Sequence, residues 1–341
     1  KIELENLKEL DFDLELTGFN VDELDDILGK NEEEVEIVED DFEIELSEEP
    51  KAKLGDIYQL GNHRLMCGDS TSPEDMAILM NGAKADLIVT DPPYNVDYGN
   101  KNKFLNSVCP GKGGRYEEDI KNDNKTNEEF FSFLKAVFTN MLAQLKNGGA
   151  FYIWLTDTNR LIFESTLNAS GGVMKQIIIW VKNNFVIGRQ DYQWKHEPCI
   201  YGWKEGAGHY WEGSRNLTTT IDDRPNYKKM SKEELLKEKK KLRGEDIPST
   251  IIYEDKPSRS EEHPTMKPVK LFERLIKNSS KEEDIILDPF GGSGTTIIAA
   301  QKLNRHARLM ELDPRYCDVI RRRWTKYAQE NDLPVGPGGL E

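Results

Sequence analysis

The chain has 341 residues, 37% of them hydrophobic and 32% charged, and a formal net charge of −16, which is enough sequence for one large domain or two ordinary ones. Its four cysteines, Cys67, Cys109, Cys199 and Cys317, are scattered, with no CxxC pair and no histidine at zinc-ligand spacing; this argues against a disulfide scaffold or zinc ribbon and for a reducing cytoplasm. No apolar run approaches the ~20 residues of a bilayer span, and the first thirty residues are acidic rather than a basic and then apolar leader, so membrane and secretory classes fall away.

The charge lies at one end. Residues 1–50 hold 21 Asp/Glu against Lys1, Lys8 and Lys30, a net of −18, which leaves the other 291 residues at +2. A polyanionic partner is therefore not excluded for the remainder. Within the acidic segment, DFDLEL (11–16) and DFEIEL (41–46) alternate apolar and charged residues as short exposed strands do, and composition reads the whole as a solvated, partly disordered arm. A start at Lys1 rather than Met suggests that residues upstream have been removed.

From Lys53 onward the pattern becomes α/β. Short apolar runs end in Gly, Asp or Pro: HRLMCGD (63–69), ADLIVTDPPY (85–94), GAFYIWL (149–155), QIIIWV (176–181), DIILDPF (284–290) and ARLMELD (307–313). Runs of this kind, wet on neither face, suit a mainly parallel sheet covered on both sides. Between them, residues 127–146 place Phe130, Leu134, Val137 and Met141 at helical spacing. The expected fold is a doubly wound, mostly parallel sheet, with ligands beyond the carboxyl ends of its strands. Residues 95–126, rich in Asn, Gly and Lys, read as a long loop beside a site, and 205–262 as an inserted recognition module.

The sharpest motif is Asp91-Pro92-Pro93-Tyr94. Two prolines stiffen the backbone and remove two N–H donors, leaving carbonyls and a carboxylate facing whatever docks there, next to an aromatic platform. Such a pocket suits an amino group on a flat ring. A second motif, Asp288-Pro289-Phe290-Gly291-Gly292-Ser293-Gly294-Thr295-Thr296, follows the strand DIIL and opens a helix. Its glycines allow close backbone approach to a ligand. It lacks the lysine of a phosphate loop and, with Ile297, the third glycine of a dinucleotide fingerprint. Glu311, at the end of the next strand, stands where ribose hydroxyls need an acceptor. The site therefore reads as one for an adenosine ligand without phosphates, and S-adenosylmethionine is the obvious candidate.

These residues resemble the DNA amino-methyltransferases that modify exocyclic nitrogens, over about Lys53 to Gln329. DPPY looks like their catalytic motif and DPFGGSGTT like their cofactor loop. His263-Pro264-Thr265-Met266-Lys267-Pro268 is similar to the segment that holds the methionine end of the cofactor. The catalytic motif precedes the cofactor loop, an order that matches the permuted β class of the family. The resemblance implies a class I methyltransferase fold, with Asp69 on the adenine of the cofactor, Glu311 on its ribose, and Thr265, Lys267, Asp288, Phe290, Gly292, Ser293, Gly294 and Thr295 completing the cofactor site. Asp before PPY resembles the adenine N6 enzymes more than the cytosine N4 ones; a glutamine-directed enzyme is expected to show Asn there. No metal is implied, and nothing metal-like accompanies the five histidines. At the N-terminus, KIELENLKELDFDLELTGFNVDEL resembles the end of a partition-protein-like domain that precedes some phage-type methylases.

The expected partner is double-stranded DNA, with no membrane; a homodimer and a companion restriction endonuclease are left open. Residues 181–211, with Arg189, Asp191, Tyr192, Trp194, His196 and Glu197, mix charge with aromatics, as expected where an extruded base or a strand backbone passes. Cys199, inside the apolar run EPCIYGW, reads as a packing residue rather than a nucleophile. Between Arg224 and Arg243 nine Lys/Arg, including Lys239 and Lys240, stand against three Glu, a basic helix expected to grip phosphates. Cytosine N4 methylation and a silent DNA-binding module are the competing readings. The expected organisation is an acidic arm or remnant of an upstream domain over 1–50, a catalytic half over 51–204, a target-recognition insertion over 205–262, a cofactor-binding half over 263–330 and a flexible tail over 331–341.

Overall fold

A computed structural model of the chain describes residues 46–97, 121–186, 191, 192, 194–212, 219 and 267–340. Among these, eight strands form one sheet in the order β1-β2-β8-β7-β3-β4-β6-β5. The strands are β1 Ile57–Leu60, β2 His63–Cys67, β3 Ala85–Thr90, β4 Leu145–Trp154, β5 Met174–Val186, β6 Trp194–Trp203, β7 Ile285–Asp288 and β8 His306–Glu311. The helices are α1 Pro73–Met80, α2 Asn127–Gln144, α3 Arg160–Ala169, α4 Val269–Ser279, α5 Thr295–Lys302 and α6 Pro314–Glu330.

Side chains alternate across the central strands, as strand geometry requires. On β3, Leu87 and Val89 join the core under α4, α5 and α6, whereas Ile88 between them joins the core under α1, α2 and α3. Helices on both faces make this the expected doubly wound sheet. Helix starts are written locally: Thr126 and Glu129 form a reciprocal capping box at α2, and Asp313 caps α6 with Pro314 in its first turn.

Pairing is parallel through β2, β8, β7, β3 and β4 and antiparallel at both margins. The run QIIIWV is part of the edge strand β5, and its residues 176–179 are partly exposed, not wet on neither face as the apolar run implied. The physical reason is position: among the described residues β5 is the last strand of the sheet, paired with β6, with the Ile179 N–H donating to the Thr219 carbonyl at 3.0 Å.

Residues 331–340 also depart from expectation. Instead of trailing free they lie along β1, where Gly61 donates to the Val335 carbonyl at 3.0 Å and Gly338 to the Gln59 carbonyl at 2.9 Å. Trp324 Nε1 donates to the same Val335 carbonyl at 2.8 Å. The glycines serve close approach: a Cβ on Gly336 or Gly338 meets the Gln59 backbone at 2.7 or 2.8 Å.

Candidate active site

Four adjacent parallel strands, β2, β8, β7 and β3, each deliver a carboxylate at or just beyond the carboxyl end: Asp69, Glu311, Asp288 and Asp91. Their environments differ, and so do the chemical tasks open to them.

Asp288 is buried and turned inward. Its Oδ1 accepts from Thr90 Oγ1 at 2.9 Å and from the Phe290 N–H at 3.1 Å, and its Oδ2 from Thr296 Oγ1 at 2.5 Å. Burial pushes its carboxyl up to about 7 against these hydrogen bonds. Asp288 thus ties the end of β3 to the start of the glycine loop and shapes both.

Glu311 faces the loop. Its two oxygens accept from the Gly292 N–H at 2.9 Å and the Asp313 N–H at 2.8 Å, and burial raises it to about 7. Gly292 has φ +52° and Gly294 φ +87°, left-handed values that favour glycine. A Cβ built on Gly292 meets nothing nearer than the Phe290 carbonyl at 3.9 Å, so the side of the loop away from the core is open. Ser293 is held from beneath, its carbonyl and hydroxyl taking Arg323 NH1 at 2.9 and 3.2 Å. Phe290 packs on Phe133, ring centroids 6.1 Å apart. Asp69 is exposed; its Oδ1 accepts from Thr71 N and Oγ1. An open backbone cradle bearing no lysine, with one carboxylate at the loop and an exposed one two strands away, fits an adenosine ligand without phosphates and, on these residues, S-adenosylmethionine.

The DPPY motif leaves β3 into the pocket. Asn159, in the turn after β4, donates to the Tyr94 carbonyl at 2.6 Å and the Asn95 carbonyl at 3.2 Å. Asn95 in turn pairs with Lys125 through its side chain. Pro92 is buried and Pro93 half-buried. Asp91 is engaged at both oxygens: Tyr94 OH donates to Oδ1 at 2.7 Å and Lys267 Nζ to Oδ2 at 2.5 Å. Lys267 also reaches Glu197 Oε2 at 3.2 Å and Tyr94 OH at 2.9 Å, beneath the rings of Tyr94 and Trp154. Lys182 pairs with the other oxygen of Glu197.

Burial works against the Lys267 ammonium, but Asp91 and Glu197 outweigh it and hold its pKa above the ordinary lysine value. Burial likewise works against the Glu197 carboxylate, and Lys267 and Lys182 bring it down to about 2. Asp91 moves the other way, raised by burial with Lys267 only partly opposing. Burial, then the charges of Asp91 and Glu197, keep the Tyr94 phenol well above its usual range.

The side chain of Lys267 therefore lies on the DPPY motif, while its backbone carbonyl takes Thr295 Oγ1 at 3.4 Å; one residue links both motifs. Glu197, read from sequence as part of a DNA-facing block, is inside this network. Lys182 belongs to the 181–211 block but is not singled out there, and Arg323 carries no motif signal. His196 pairs with Asp157 at 2.7 Å, one turn from Asn159, and Tyr192 is 92% exposed. Cys199 is fully buried, and burial pushes its thiol far above the usual range. Thr265, Arg189, Arg224, Lys239, Lys240 and Arg243 lie outside the described residues. Among the described residues no cluster of three or more His, Cys, Asp or Glu is placed to hold a metal, and no helix is long and apolar enough to cross a membrane.

A family model described as DNA methylase matches residues 85–322, from the start of β3 into α6. The chain belongs to this DNA methylase family. It is a DNA methyltransferase whose methyl donor is S-adenosylmethionine. A second family model, the ParB-methyltransferase HTH domain, matches residues 1–54. The partition-protein-like resemblance of the N-terminus is thus borne out.

Among similar proteins, Type II methyltransferase M.BglII of Bacillus subtilis is 26% identical over 286 residues, 83% of this chain and 72% of that protein. Type II methyltransferase M2.MboI of Moraxella bovis is 29% identical over 247 residues, 70% of this chain and 80% of that protein. The crystal structure of the M1.HpyAVI–SAM complex covers 76% of this chain and 97% of its own, with 21% identity and a TM-score of 0.49.

Proposed function

We propose that this methylase transfers a methyl group to adenine N6 at specific sites in double-stranded DNA, acting on a base turned out of the helix. The observation that carries the reading is the Asp91 carboxylate beside the Tyr94 ring, one strand from the glycine-loop strand β7.

Inside a duplex N6 is out of reach of in-line attack, so the base leaves the stack at a cost of roughly a few kcal/mol. Tyr94 offers the ring against which it stacks. Asp91 and the Pro92 carbonyl accept the two amino hydrogens, drawing the nitrogen toward tetrahedral geometry so that its lone pair is free to attack. When bound, S-adenosylmethionine supplies an electrophilic methyl on a sulfonium leaving group. Glu311 and the backbone of Gly292 and Gly294 hold its ribose side, and Asp69 its adenine. Catalysis rests on positioning and on acceptors organised beforehand, with no covalent link to the protein; the buried, neutral thiol of Cys199 supports that.

Sequence is read, in this proposal, by the region over 205–262, with Arg224, Lys239, Lys240 and Arg243 on DNA and Arg189, Tyr192 and His196 at its margin. A companion restriction endonuclease acting at the same site, a homodimeric state and a cytoplasmic location belong to the same reading. The test is product analysis: DNA from cells expressing the chain, one portion hydrolysed to nucleosides and another sequenced intact as single molecules, yields N6-methyladenine in one sequence context. N4-methylcytosine in its place overturns the adenine assignment and keeps the architecture.

A further inference from the structure

The two oxygens of Asp91 are already filled by donors of the chain itself, the Tyr94 hydroxyl at 2.7 Å and the Lys267 ammonium at 2.5 Å. An exocyclic amine brings one N–H donor to the same carboxylate and the other to the Pro92 carbonyl, so in the resting site the chain's own donors fill the carboxylate that the target needs. Lys267 is also the wrong charge for the reaction. The amine nitrogen becomes positive as it takes the methyl group, and a buried ammonium on Asp91 cancels the field that favours this change.

A second acceptor is already at hand. Glu197 Oε2 lies 3.2 Å from Lys267 Nζ and also 3.2 Å from Tyr94 OH. Glu197 comes from β6, far in sequence from either motif, and its other oxygen is anchored by Lys182. Glu197 is therefore fixed, charged and within reach of both donors that now occupy Asp91.

We propose that Glu197 is a positioning residue for methyl transfer, the alternative acceptor onto which Lys267 and Tyr94 swing when the target amine takes Asp91. Lys267 is then a built-in stand-in for the amine, keeping the Asp91 carboxylate compensated between turnovers. No bond forms or breaks in the exchange; two hydrogen-bond donors change acceptor. The inference rests on the amino-methylation reading above and deepens it.

The test is a double-mutant cycle on the full chain, read as total labelled methyl incorporated into DNA, whichever base receives it. At saturating DNA and S-adenosylmethionine, Glu197→Gln lowers kcat at least tenfold, because Lys267 is left with Asp91 as its one charged acceptor. In a Lys267→Met background the same change lowers kcat less than twofold, since no ammonium then needs parking. Cofactor affinity by calorimetry stays within twofold between wild type and Glu197→Gln. An equal loss in both backgrounds, or a collapse of cofactor binding in Glu197→Gln, overturns the proposal. If Glu197→Gln does not fold, Glu197→Asp gives the second measurement: the shortened carboxylate withdraws from Lys267, and kcat falls at least threefold in the wild-type background but less than twofold in Lys267→Met, whereas an equal loss in both overturns the proposal. Failure of the parent reading has a different signature, a wild-type product that carries no methylated exocyclic amine.

Discussion

Thr90 and Asp288 join the catalytic strand to the glycine-loop strand through one buried contact, Thr90 Oγ1 donating to Asp288 Oδ1 at 2.9 Å. Asp288 remains hard to ionise there, its carboxyl raised from 3.8 to about 7 by burial. In this range the folded state binds more protons than the unfolded chain, so stability falls as pH rises from about 4 to about 7. The full difference corresponds to roughly 4 kcal/mol as an upper bound. Asp288→Asn, which cannot ionise, is expected to gain stability relative to wild type between pH 5 and pH 8 in chemical denaturation. Glu311 titrates in the same direction in both proteins, so the difference isolates Asp288. A constant gap across that range contradicts the assignment.

Asp91→Asn retains the shape of the side chain but loses the charge facing the amine. Turnover is expected to fall by two orders of magnitude or more, with S-adenosylmethionine affinity nearly unchanged because the cofactor is placed on other residues. Single-turnover methyl transfer and calorimetry separate the two, and near-normal transfer by this variant contradicts the mechanism.

Gly292→Val places a β-branched residue at φ +52° and a side chain in the open side of the loop. Cofactor affinity is expected to fall at least tenfold. Glu311→Ala, which removes the acceptor of the Gly292 N–H, should weaken it by a comparable factor. Unchanged affinity in both means that the cofactor does not lie along this loop.

Cys199→Ala tests the absence of a covalent step. The residue is fully buried, so the variant is expected to lose about 1 kcal/mol of stability and to retain its turnover. Loss of methyl transfer by a folded Cys199→Ala protein restores the nucleophile reading.

Neutralising Lys237, Lys239, Lys240 and Lys241 together is expected to weaken DNA binding and to flatten the dependence of log affinity on log salt, leaving cofactor binding intact. A wild-type slope places the phosphate contacts elsewhere, most plausibly around residues 183–216.

What was legible in the sequence was what is local. Apolar runs ending in an acidic residue locate β2, β3, β7 and β8, and the glycines of the 291–294 loop mark the left-handed backbone found there. The ion network was not legible, because its members lie far apart in sequence: Lys267 meets Asp91 across 176 positions, and Glu197 reaches Lys267 and Tyr94 from a strand whose own pattern signals only packing and charge. Arg323 is the same case. It carries no motif signal, yet it is 2% exposed and supports Ser293. The closing residues misled through composition, since glycine and proline mark free loops and tight packing with the same letters.

The strip 331–340 gives the sheet something its strands cannot. β1 pairs with β2 along one side, and on the other its rim groups meet the Val335 carbonyl and the Gly338 N–H rather than water. Bare strand rims recruit strands from neighbouring molecules. A chain cut after Asn331 should therefore retain its chemistry while becoming sticky, its light scattering rising with concentration at a rate that the intact protein does not show. The ten residues beyond that cut act as a selvedge, finishing the sheet so that it does not weave itself onto the next.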